Sequence, residues 1–548
     1  MPVARRSVLK SFAVLPLAAL LQETVEVVLH NARIYTGNER QPEAQALAVS
    51  GGRIVAVGAN HEVLGLASHL TRKVDLGGRR VLPGFIDAHA HPALSGLEHL
   101  TKVACDKSSI EEILAALRAR AADTQPGEWL QGFLYDDGKT PRPLSRHDLD
   151  QAIPEHPVLV QHRGGHTAFV NTLALTLAGV DSTTPDPAGG RYGRDQQGQL
   201  TGFVADAAMN RMQELLPNTY SAEQRRDGAA LISRMFVSRG ITSACDADAT
   251  HADLKAYQDA HDAGELRMRS YCLIAAPDLP NLIASGLHTG FGDRWLKIGG
   301  VKLFADGSIS ERTAWLSAPY LDMPGAYTGL ALSTREALYE SARTAWLAGF
   351  QVATHANGDL AIDRTLGVYE QLMTEAPRRD ARPRLEHCTL VNEALIQRMK
   401  AVGAVPVPFG GYVYFHGDVL HFYGAARTEH MFAMRSLIDA GLKAASSSDY
   451  TASPADPLLW MQSQVTRTDP AGHVWGANQR ISVAEAISCA TQNGAYSQFA
   501  EHEKGTLQPG KLADLVVLQQ DPFAVSPQEL ARIRVERTML EGRWVYES

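Results

Sequence analysis

VLPGFIDAHAHP, residues 81–92, is an apolar run that ends in two histidines one residue apart. In an extended strand side chains alternate faces, so His89 and His91 point one way while Ala88 and Ala90 point the other. Two neutral imidazoles aimed at one point offer their lone pairs to a metal ion, at about 2.0–2.1 Å for zinc. A packed pair without a ligand is the alternative, and further ligands downstream decide between the two.

Outward from this stretch, seven more short runs of β-branched or apolar residues alternate with helical stretches. They are GITSACDA (240–247), RMRSYCLIAA (267–276), GGVKLFAD (299–306), QVATHA (351–356), RPRLEHC (382–388), GAVPVPF (403–409) and LKAASSSD (442–449). Strands alternating with helices read as βα units around a parallel sheet. Eight of them are what an α/β fold of the (β/α)8 TIM-barrel type requires, so a barrel is expected within residues 81–504. The later strands recur at roughly the ~30-residue spacing of one barrel unit. The first interval is far longer, and residues from about 93 to 238 read as a large insertion after strand one, where barrels carry substrate-shaping loops. At the two ends, VEVVLHNARIYTG, ALAVSGGRIVAVG, GTLQPGKLADLVVLQQDPF and VERTMLEGRWVYES alternate apolar and polar residues around short turns. Residues 24–80 and 505–548 are therefore expected to form one small β-sandwich built from both termini.

Composition narrows the function classes. The chain has 548 residues and a formal net charge of −8 with both signs interspersed, which offers no basic stripe for nucleic acid. It is long enough to enclose a site for a small-molecule substrate. Five cysteines without a CxxC pair read as small buried residues. Past the leader, no stretch is long and apolar enough for a stable membrane span. Arg5 and Arg6 precede a short apolar run from Phe12 to Leu21, so residues 1–23 resemble a twin-arginine-type signal segment and the periplasm is the expected location. A cytoplasmic chain with an uncleaved tail is the alternative, because no clear A-x-A site precedes Glu23. The sequence leaves a homo-oligomer open.

Barrels build their sites at the carboxyl ends of the strands. Strand one ends in His89 and His91, strand four carries Lys302, strand five ends in His355, strand six in His387 and strand eight in Asp449. Singly these are a satisfied core histidine, a surface lysine or a capping aspartate; six on one rim point to metal chemistry.

PGFIDAHAHP, GVKLFADGS with the later RTAWL, HANGD, LEHC, SSSD followed by DPL, and the terminal GTLQPGKLADLVVL together resemble the amidohydrolase superfamily, in the family 3 branch of N-substituted formamide deformylase-like metal-dependent hydrolases. The resemblance implies two divalent metal ions, zinc ahead of iron, manganese or cobalt. It puts His89 and His91 on the more buried ion and His355 and His387 on the second. N6-carboxylated Lys302 would bridge both, since a carbamate offers two anionic oxygens where an amine offers none. Asp449 would touch the buried ion and shuttle a proton as a metal-activated hydroxide cleaves an amide or formamide C–N bond. His166 and Asn171 of HRGGHTAFVN would line the substrate pocket, and Asp306 would either contact substrate or turn the chain to aim Lys302. Asn357 and Asp359 read as partners that orient imidazoles, and Tyr412, Tyr414 and His416 lie near the strand-seven rim. Asp206 stands where the family has glutamate. Alternatives are an ester or lactone hydrolase on the same site, a mononuclear heterocycle deaminase, and a scaffold without metal. The strand-four lysine and the lack of glutamate in HANGD argue against the deaminase, and six filled ligand positions argue against the scaffold.

Overall fold

The computed structural model describes residues 25–165, 167–187, 190–216, 220–323 and 325–548. The expected signal segment and His166 lie outside the described residues.

Seven parallel strands form the central sheet in sequence order: β1 (Phe85–Ala90), β2 (Ile241–Ala249), β3 (Arg269–Ala275), β4 (Leu296–Phe304), β5 (Gln351–Ala356), β6 (Arg384–His387) and β7 (Val405–Pro408). Register carries the candidate residues to one end: Phe304 of β4 stands beside His355 of β5, and Ala356 beside His387 of β6. The eighth run, residues 442–449, fills the gap between β7 and β1 without becoming a regular strand. On one side Ala445 N donates to Pro406 O (3.0 Å) and Gly410 N to Ser447 O (2.8 Å); on the other, Ala88 N donates to Ser446 O (3.1 Å) and Asp449 N to His89 O (2.7 Å). Its regularity is lost because Ser446 N donates to Cys489 O and Ser448 N to the Asp87 carboxylate, partners outside any ladder. The barrel is thus nearly closed, with seven regular strands where eight are expected.

Helices cover the outside of the sheet. Trp346, Leu366, Tyr369 and Met399 pack with Val301, Val352 and Leu385 in one buried apolar cluster. The barrel lumen is partly polar, with Gln351, Arg384 and Glu386 each at 0% exposure.

A second region is built from both ends of the chain. One sheet orders Arg53–Gly58, Ala46–Ser50, Val27–His30 and Arg72–Asp75; the other orders Arg543–Glu547, Val535–Leu540, Leu515–Leu518, Arg80–Pro83, Arg33–Tyr35 and Glu43–Ala44. Val27, Leu29, Val49, Val81, Leu515, Val517 and Met539 from the two sheets share one core. Gly84 alone separates Arg80–Pro83 from β1, and a Cβ there would sit 2.3 Å from Thr242 Oγ1. Only glycine lets the chain pass so close to β2. A third sheet, of six strands between residues 103 and 206, stands after β1, flanked by helices Pro92–Thr101 and Ala222–Ser238. All five cysteines are buried and free, and no helix among the described residues is long and apolar enough to cross a membrane.

Candidate metal centre

The end of β1 is tied to the end of the eighth run twice, through Asp449 N to His89 O and His91 N to Tyr450 O (3.1 Å), which sets their side chains face to face. His91 Nε2 lies 3.1 Å and His89 Nε2 3.5 Å from Asp449 Oδ1. His89, His387 and Asp449 each offer one ligand atom, all within 4.8 Å of one another. Lys302, 1% exposed, brings Nζ to 3.3 Å from His89 Nε2. His355 stacks edge-on to His387 with centroids 4.4 Å apart, and its Nε2 faces the Gly307 carbonyl at 3.0 Å. The six expected residues therefore gather in one place.

His387 supplies the test of whether this set suits a cation. Its Nδ1 is buried without a hydrogen-bond partner among the described residues. An orphaned buried nitrogen is costly unless something satisfies it, and a metal ion does. Burial pushes the His387 imidazole far below its ordinary pKa and that of His355 down to about 3, so both stay neutral and keep a lone pair. Burial opposes ionisation of Asp449, but hydrogen bonds with His89 and His91 overcome it and hold the carboxyl well below its usual range. Burial drives the Lys302 ammonium down as well.

Two groups absent from the sequence reading complete the arrangement. The Glu386 carboxylate hydrogen-bonds His89 Nδ1, which leaves Nε2 for the centre, and a doubly bonded Arg384 (2.7 and 3.0 Å) holds Glu386 in turn. A carboxylate on the far nitrogen is the usual way to orient a metal-binding imidazole. Asp87, one alternation before His89, accepts Ser448 N at 3.0 Å and the Ser448 hydroxyl, and so locks the eighth run against β1. Asp87 carried a signal, since a charged residue two positions before His89 on a buried strand shares its face; Glu386, adjacent to His387, did not.

The centre floors a cavity of about 240 Å³ whose wall includes Leu94, Phe133, Phe304, Tyr412 and His416. A larger one of about 550 Å³ adjoins it across Leu134, Arg163 and Thr451. Tyr414 is not in either wall. Asn171 is corrected as a substrate contact, and of the two readings of Asp306 the geometry fits a residue that anchors the chain and not one that meets substrate. Asn171 is 1% exposed and caps helix Thr172–Leu177, its Oδ1 accepting Ala174 N and Val158 N at 3.0 Å each. Asp306 is 0% exposed and accepts three backbone amides, from Trp315 (2.9 Å), Asn357 (2.9 Å) and Gly358 (2.8 Å). Both carboxyl and carboxamide are consumed by loops, so neither lines the cavity. Asn357 Nδ2 donates to the same Gly307 carbonyl that His355 faces, at 2.9 Å, and Asp359 accepts Ser317 N.

The model of the amidohydrolase family matches residues 72–546. The chain belongs to that family. It is accordingly a hydrolase. YtcJ of Bacillus subtilis (strain 168), named as an amidohydrolase, is 29% identical over 95% of this chain and 100% of its own. N-substituted formamide deformylase of Arthrobacter pascens is 29% identical over 95% of this chain and 98% of its own. Among solved structures, an uncharacterized metal-dependent hydrolase from Pyrococcus horikoshii OT3 superposes with a TM-score of 0.75 at 26% identity, covering 91% of this chain and 99% of that one. Barrel enzymes build their sites at the carboxyl ends of the strands, the end at which this histidine–aspartate cluster stands.

Proposed function

We propose that this amidohydrolase cleaves a carbon–nitrogen bond of amide or formamide type with the help of two divalent metal ions. The convergence of His89, His387 and Asp449 on one point, with the His387 nitrogen otherwise unsatisfied, carries the reading. The likeness to a formamide deformylase over nearly the whole chain supports the choice of bond. His89 and His91 would hold one ion, His355 and His387 the other, with Asp449 at the first and a carboxylated Lys302 between them. Lys302 forms no ion pair within 4 Å among the described residues, so a carbamate would turn an unpaired buried amine into an anionic ligand. Zinc is the first choice for nitrogen and oxygen donors, with iron, manganese and cobalt compatible. Bound there, a metal would supply a water acidified to a pKa near 7 and a Lewis acid to polarise a carbonyl.

The chain's own residues supply the rest. Asp449, held as a carboxylate, accepts a proton at Oδ1 and returns it to the leaving nitrogen. Glu386 fixes the His89 tautomer, and Arg384 keeps Glu386 ionised. Leu94 and Phe304, half-exposed at the mouth (53% and 42%), offer an apolar seat for an N-substituent. The test is amine release from N-substituted formamides and simple amides, beside their ester counterparts, by metal-replete protein. Amine release supports the reading; turnover of esters and lactones alone overturns it.

A further inference from the structure

Arg163 directly follows the strand Val158–His162 of the sheet inserted after β1, and its backbone N–H donates to Tyr135 O at 2.8 Å. Its side chain is 7% exposed, yet its buried Nε has no hydrogen-bond partner among the described residues, and its guanidinium is held only over the Phe415 ring, 4.6 Å from the centroid. The nearest carboxylate does not account for it. Asp136 Oδ2 stands 3.9 Å from Arg163 Nε and 3.6 Å from Lys139 Nζ, so two cations face one carboxylate, and neither distance is a hydrogen bond. The other Asp136 oxygen accepts Gly138 N. The terminal nitrogens likewise make no hydrogen bond among the described residues, and a nearly buried guanidinium in a cavity wall is unfavourable unless a ligand completes it there. Arg163 also stands in the wall common to the cavity above the metal centre and the larger cavity beside it.

We propose that Arg163 is an anion-recognition residue, its planar fork receiving the carboxylate of a substrate whose amide lies at the His89–His387–Asp449 cluster. The fork matches a carboxylate through two parallel N–H···O bonds, which a lysine cannot reproduce. The substrate class is then an N-formyl or N-acyl compound that also bears a carboxylate, its apolar body against Phe133 and Leu134. The substrate side of this proposal rests on the C–N hydrolase reading; the binding side does not.

Two measurements keep those apart. Isothermal titration calorimetry on the protein as purified compares phenylacetate with its neutral isostere phenylacetamide. Wild type binds the carboxylate at least tenfold more tightly, Arg163→Gln loses the preference, and Arg163→Lys, with charge but no fork, retains less than tenfold. Equal affinities in wild type, or a preference that survives Arg163→Gln, overturns the assignment. The second measurement is the ratio of kcat/KM for N-formylphenylalanine and its carboxamide, which is expected to favour the acid at least tenfold and to approach one in Arg163→Gln. Hydrolysis of neither compound counts against the C–N reading, while the calorimetry still decides Arg163. The Arg163→Gln melting temperature stays within a few degrees of wild type, because no hydrogen bond is removed; a collapse in Tm marks a structural strut and overturns the proposal.

Discussion

At Asp449 burial and hydrogen bonding pull in opposite directions, and hydrogen bonding wins: the group stays a carboxylate in a pocket that would otherwise protonate it. Asp449→Asn keeps the shape and removes the proton acceptor, so kcat on any hydrolysed amide falls by about 10²–10⁴-fold while Tm changes little. A variant with wild-type kcat contradicts the assigned role. At His355 and His387 the sign is the reverse of a surface histidine's. Their imidazolium forms are disfavoured by burial, so protons compete with a cation only far below the ordinary histidine value near 6.5. The ion on His355 and His387 should therefore survive dialysis at about pH 5, whereas at the other position His91, whose imidazole the Asp449 carboxylate raises against burial, is protonated sooner; loss of all metal between about pH 7 and 6 contradicts this. The ligand-type residues were legible because histidine, lysine and aspartate at strand ends are few. Glu386 was not, since plain alternation puts it on the face opposite His387. His387 escapes that alternation with φ at +66°, a left-handed turn that brings its ring round to the side Glu386 already occupies.

At the scale of elements, all seven strands of the observed sheet were readable from apolar runs and spacing. The eighth was read as one more strand, but of three consecutive serines, each at 0% exposure, Ser446 sends its amide to Cys489 O at the end of helix Val483–Cys489 and Ser448 sends its own to the Asp87 carboxylate. Ser and Asp side chains compete with the ladder in this way. Asn171 shows a signal that was present and outweighed by the family pattern: an asparagine just before an apolar helical run is a cap. Asn171→Ala uncaps that helix and strands the Val158 amide, and its Nδ2 donation to His156 O at 2.8 Å is lost too. The expected loss is about 2–4 kcal/mol in urea unfolding with KM unchanged. A KM that rises while stability holds would return Asn171 to the substrate wall.

At the scale of the molecule, the barrel and the two-ended sheets are bound through Arg269 at the start of β3. It grips Asp514 with two bonds (2.7 and 2.9 Å) and Glu541 with a third (3.1 Å), the Arg269 and Asp514 side chains each 3% exposed. Burial works against the Arg269 cation, and these carboxylates reverse it. Asp514→Ala leaves that cation without its main partner, at a cost of about 3–5 kcal/mol. Calorimetry should show the whole chain melting earlier in one transition; an unshifted transition contradicts the tie. The alternating patterns at the two termini made their strands legible, whereas the six-stranded sheet after β1 was legible only as excess length, because short strands of mixed polarity such as Gly190–Arg194 carry no clear period.

Six side chains from five strand positions are proposed to hold two cations for hydrolysis. Elemental mass spectrometry on protein purified without chelator counts them directly. About two ions per chain, falling to one or none in Lys302→Ala, is the expected result. One ion per chain in the wild type, with Lys302→Ala unchanged, would contradict it and make Lys302 a packing residue beside a mononuclear centre.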